Sequence, residues 1–210
     1  MINQLFQKKL SYFLIQGISI FLGFTFWGAG MAKLFHEHQF FGWIGPVWLI
    51  DELEPYGLGF YGRFIAYSQI VIGYLLVTTR YKLLGSIMMI PLIGNILMVT
   101  ISLDWRGTPF VLGFLMLLNL ILLWQYRDFF RPIIDEGRSN YNVKARFLRT
   151  GNGHLVWLAG LSLQLIAIQV SYINWIAACS VVLLGLLLSA LSFYLDKKNG
   201  VDTPLNTQKL

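Results

Sequence analysis

The stretch "LLGSIMMIPLIGNILMVTISL", residues 83–103, lies between Lys82 and Asp104 and carries no charged side chain. Roughly 20 apolar residues wound as a helix cross the ~30 Å hydrocarbon core of a bilayer, so this segment reads as a transmembrane span. Its neighbours repeat the pattern. Residues 10–32 lie uncharged between Lys9 and Lys33, residues 64–79 between Arg63 and Arg80, and residues 107–126 between Arg106 and Arg127. The second of these windows is short and borrows residues 59–62. A last window, 150–195, is broken only by His154 and is long enough for two spans. "SYIN" at 171–174 divides it evenly. The sequence therefore predicts an all-α, polytopic transmembrane bundle of six spans. Helical periodicity adds nothing here, because a helix facing lipid is hydrophobic all round.

Composition agrees. Of 210 residues, 56% are hydrophobic and 12% charged, against about 25% charged in soluble domains, and mean hydropathy is +0.62. The natural partner is a lipid bilayer. The net charge of +6 does not point to nucleic acid, because the basic residues sit in short connections between apolar runs. Those connections orient the chain. With a cytoplasmic N-terminus, only Lys33, Arg63 and Arg106 of the 16 basic residues fall outside, as the positive-inside rule requires. Both termini are then cytoplasmic. "GAGMA" at 28–32 resembles a signal-peptidase site, but the apolar run before it exceeds a signal peptide's core of about 7–15 residues. An uncleaved anchor is expected.

Four segments follow. Residues 1–127 form a four-helix module, 128–150 a basic cytoplasmic linker, 151–195 a helical hairpin, and 196–210 a flexible cytoplasmic tail. Within the module, "FFGWIGPVWLI" at 40–50 is too short to span; it either lies on the outer surface or dips in.

Chemistry has few places to reside. The single cysteine, Cys179, permits no CxxC pair and excludes a thiol–disulfide enzyme. "FWGAGMAKLFHEH" at 26–38 brings Lys33, His36 and His38 together. On a helix the two histidines point about 200° apart, and the three histidines do not face one another as a haem site needs, so no metal is expected. Lys33 should snorkel outward. As a cation on the outer side it needs compensation, from Glu37, Asp51, Glu52 or Asp104, or from a lipid or quinone oxygen. Asn95 and Asn119 count to similar depths in their spans, with Gln69 nearer the outside. They are read either as interhelical packing or, with a kink at Pro91, as a polar cleft for a quinone or lipid-like ligand. No acid or base sits mid-span, which argues against a proton-coupled pump.

Residues 18–128 resemble the DoxX-like family of small bacterial integral membrane proteins. "FWGAGMAKL" matches a first span ending in a Gly-rich turn with a lysine. After a long outer loop, "YSQIVIGYLLVTTRYKLLGSIMMI" matches the second span, basic turn and third helix, and "LLNLILLWQYRD" the fourth. Ser68 and Gln69 stand where many members carry an acid. The hairpin lies outside the usual four-helix form. The resemblance implies a bacterial plasma (inner) membrane protein. Some members are similar to the membrane subunit of thiosulfate:quinone oxidoreductase. The expectation is an auxiliary subunit of a quinone-linked redox or other membrane complex, not catalytic alone, with a membrane or redox protein partner. The alternatives are a small-molecule or lipid transporter or binding protein, and a quinone-binding oxidoreductase in its own right. Candidate ligand-binding residues are Lys33, Gln69, Asn95 and Asn119; the one bound group considered is a quinone.

Overall fold

A computed structural model describes residues 2–42, 44–127, 129–130 and 149–199. Among the described residues the regular secondary structure is all helical, without a strand. Seven α-helices follow in order: α1 (Ile2–Leu34), α2 (Leu49–Leu53), α3 (Gly59–Val77), α4 (Lys82–Ser102), α5 (Thr108–Trp124), α6 (Gly151–Ser171) and α7 (Trp175–Asn199). Five of them, α1, α3, α4, α6 and α7, are long and apolar enough to cross a membrane. This is a multi-pass membrane protein by length and composition. Helix α5 is shorter, at 17 residues. The basic linker lies mostly outside the described residues, as does the tail beyond Asn199.

The chain divides into two compact units, residues 1–141 and 142–210. In the first, α1 and α3 pack antiparallel with their backbones in direct approach. A Cβ on Gly73 would run into the backbone nitrogen of Trp27, and one on Gly23 into that of Val77. One on Gly30 would stand 2.6 Å from the Ala66 carbonyl oxygen. Lipid supplies no hydrophobic drive to join helices, so close approach over small residues does the work through van der Waals contact. The Ser19 hydroxyl adds a bond to the Leu76 carbonyl at 2.9 Å. Leu22, Phe26, Ile72, Leu76, Met89, Ile93 and Leu122 fill the core between α1, α3, α4 and α5.

The second unit is a hairpin. Helix α6 ends at Ser171 and α7 begins at Trp175, so the turn lies within "SYIN". Asn174 accepts from the backbone N–H of Ala177 at 3.1 Å, capping α7. At the other end, Thr150 caps α6 by accepting from Gly153 N–H, and its hydroxyl donates to Asp196 at 2.9 Å. Gly185 packs on the Gly160 carbonyl, and buried Gln164 donates to the Val182 carbonyl at 3.1 Å.

The segment after α1 packs back against that helix through its aromatic side chains. Phe40 packs on Trp27 and on Phe35, with ring centroids 5.4 and 4.7 Å apart, and Phe41 meets Phe24 at 6.4 Å. The Phe41 carbonyl oxygen lies 3.4 Å from a Cβ placed on Gly28. Gly28 precedes the end of α1 by about 9 Å of rise. The chain thus turns back and descends beside α1 before Leu49, Ile50 and Leu53 return it to the core. Residues 40–42 thus lie alongside α1, with Phe41 exposed on the outer side of that contact.

Candidate functional site

This returning segment closes one side of a cavity of about 760 Å³ in the first unit. Its walls come from α1 (Thr25, Phe26, Ala29, Lys33), from Ile44 to Pro46 with Trp48 and Leu49, from α3 (Gln69), α4 (Ile96) and α5 (Thr108, Val111, Leu112, Leu115), and from Asp104 to Gly107 between α4 and α5. Thr25, Ala29 and Lys33 are spaced by four, so they stack on one face of α1. Gln69 reaches the same level, because Gly30 meets Ala66 and Ile70 across the α1–α3 contact.

Lys33 does not snorkel outward. Its side chain is 95% buried, and Nζ donates to the Ala29 carbonyl of its own helix at 3.0 Å. The Cα–Cβ bond of a helical residue tilts toward the N-terminus, which here means toward the membrane interior. Gly45, at φ +107°, sits against the ammonium; a Cβ there would stand 3.8 Å from Nζ. Among the described residues no acid forms an ion pair with it. Glu37 lies beside His36 at 3.6 Å and Asp51 beside His38 at 3.8 Å. Asp104 lines the cavity but is exposed at its rim, as is Arg106.

Gln69 and Thr25 add unmet polar atoms. Gln69 is 5% exposed, and its Oε1 has no hydrogen-bond partner among the described residues; the same is true of Thr25 Oγ1. A buried polar atom left unpaired costs about 1–3 kcal/mol. Lys33, Gln69 and Thr25 therefore present an ammonium, an amide and a hydroxyl to one apolar-walled space.

The two asparagines do not join them. Asn119 is fully buried and donates to the Ser86 carbonyl at 2.9 Å. Ser86 lies one turn from the start of α4 and nine residues before Asn95, roughly 13 Å along the helix. The depths of Asn95 and Asn119 counted from the sequence are therefore corrected, because α5 is offset along α4. Asn95 is exposed and faces away from the bundle. Helix α4 continues through Pro91 and supplies only Ile96 to the cavity. Thr25 was missed by charge-based reading, although its spacing of eight from Lys33 signals a shared face.

The histidines serve the exit from α1. His38 Nδ1 lies 2.9 Å from the Ala32 carbonyl. Among the described residues no three His, Cys, Asp or Glu side chains form a metal-binding group.

No family model matches the chain, and no curated protein or solved structure is recognisably similar to it.

Proposed function

We propose that this chain is an auxiliary, non-catalytic membrane subunit of the DoxX-like type. In this reading it has six spans, both termini cytoplasmic, in a bacterial inner membrane. Helix α5 is the sixth span; 17 residues give about 26 Å of rise, near the hydrocarbon thickness. Its task is to hold a lipid-soluble ligand in the outer half of the four-helix module for a membrane or redox partner. The observation that carries this is that Lys33 and Gln69 line one cavity. Two buried polar side chains, neither in a salt bridge among the described residues, face one apolar cavity. Its volume lies within the roughly 300–1,000 Å³ of small-molecule sites.

A quinone is the ligand class the family resemblance implies, and the residues fit one. Lys33 and the Gln69 amide can donate to ring oxygens, while Phe26, Ile96, Leu112 and Leu115 accept an apolar body. When bound, a quinone would supply two-electron carrier chemistry to a partner; this chain's residues only bind and orient it.

The test is to purify the protein into phosphatidylcholine nanodiscs and extract what it retains. A quinone or lipid should be recovered in molar ratio to protein, and Ala29→Trp, which fills the cavity, should abolish it. Recovery no higher than from an unrelated membrane protein, for quinones and lipids alike, would refute the reading.

A further inference from the structure

We infer that the cavity selects a single-chain amphiphile with an anionic head, a carboxylate or a phosphate monoester, seated on Lys33. This rests on the proposed reading of the cavity as a ligand site and specifies the ligand's head.

The argument starts from charge. An ammonium removed from water is costly unless it is paired and hydrogen-bonded. Lys33 has one carbonyl partner among the described residues and no carboxylate within salt-bridge distance. The four acids expected to compensate it, Glu37, Asp51, Glu52 and Asp104, are otherwise placed. Glu37 and Asp51 lie beside histidines, and Glu52, Asp51 and Asp104 are exposed. Lys33 and Arg106 give the cavity lining two positive charges against the one of Asp104. A neutral quinone would leave the ammonium without a counter-charge. An anionic head would supply it through charge-assisted hydrogen bonds, which are shorter and stronger than neutral ones.

The remaining polar atoms suit the same head. Thr25 offers a hydroxyl donor deeper in; the Gln69 amide, turned to present Nε2 in place of its unpaired acceptor Oε1, can donate to a second oxygen of the anion. Beyond the head, Phe26, Ile96, Leu112 and Leu115 form a wall for a hydrocarbon chain. The rim matches the membrane surface. Trp48 and Val111 are exposed lining residues on its apolar part, and Asp104 and Arg106 on its charged part. An amphiphile could enter there without leaving the interface.

The experiment uses the full chain in phosphatidylcholine nanodiscs with 11-(dansylamino)undecanoic acid as fluorescent ligand. Competitors are oleate, lysophosphatidate, methyl oleate and decylubiquinone. Oleate or lysophosphatidate should displace the ligand, and their relative strength identifies the head as carboxylate or phosphate. Methyl oleate, which lacks only the charge, should compete roughly ten- to a hundredfold more weakly, the range expected for losing a charged hydrogen bond. Lys33→Gln should weaken oleate by a similar factor and leave methyl oleate unchanged. Lys33→Arg should retain oleate, which separates loss of charge from loss of fold, and Gln69→Leu should weaken oleate by a smaller factor. Equal competition by oleate and methyl oleate, or by oleate and decylubiquinone, would overturn the anionic head while leaving the ligand site intact. Absence of saturable binding by every competitor would overturn both.

Discussion

Lys33 donates to the carbonyl of Ala29 at 3.0 Å, so the one basic residue at the outer end of α1 points back into the bundle. Its ammonium is buried beside Gly45 and above Thr25. Replacing even a buried ion pair by apolar groups of similar volume is often neutral or stabilising, and an unpaired buried ammonium is costlier still. Lys33→Met should therefore hold or raise the thermal midpoint of ligand-stripped protein while reducing ligand retention. A large fall in the midpoint, measured by scanning fluorimetry in detergent, would make Lys33 a structural residue instead.

The α1–α3 contact depends on absent side chains. Gly73→Ala would place a methyl group in the backbone of Trp27, and overpacking costs about 1–3 kcal/mol or more. Gly94→Ala meets no atom within 4 Å and should gain up to ~1 kcal/mol from helix propensity. Unfolding in mixed micelles should rank the two on opposite sides of the native protein; equal effects would contradict the close packing.

Two asparagines separate by environment. Asn119→Leu loses the bond to the Ser86 carbonyl, and interhelical bonds of this kind are worth about 0.6–1.7 kcal/mol. Asn95→Leu alters an exposed position and should be neutral or stabilising. The double variant should equal the sum of the singles, since distant sites act independently. A coupling above about 0.5 kcal/mol would place both in one site.

Topology has a direct check. In a Cys179→Ser background, Glu52→Cys should react with an impermeant maleimide in intact cells. Gln125→Cys, past the end of α5, should react only after permeabilisation. Labelling of both from outside would remove α5 as a crossing, and the reverse pattern would invert the chain.

What could be read from sequence alone was the one-dimensional part. Residues 83–103 and the charge-free windows of α1, α3, α6 and α7 mark helices long and apolar enough to cross a membrane, because hydrocarbon tolerates no unpaired charge along a lipid-facing helix and that demand falls on contiguous residues. The break at 171–174 was visible for the same reason. Direction around each helix was not. Lipid and core are both apolar, so Asn95 and Asn119 look alike in the chain, yet one faces outward and the other bonds across to α4. Lys33 and Gln69 were identifiable as unusual polar residues, but Thr25 joined them only because α1 and α3 meet backbone to backbone and the segment after α1 turns back along it. Those approaches are set by glycines at Gly23, Gly30 and Gly73 meeting across two helices. The charge pattern determines where the chain enters and leaves the membrane; steric fit between helices decides which polar atoms share a cavity.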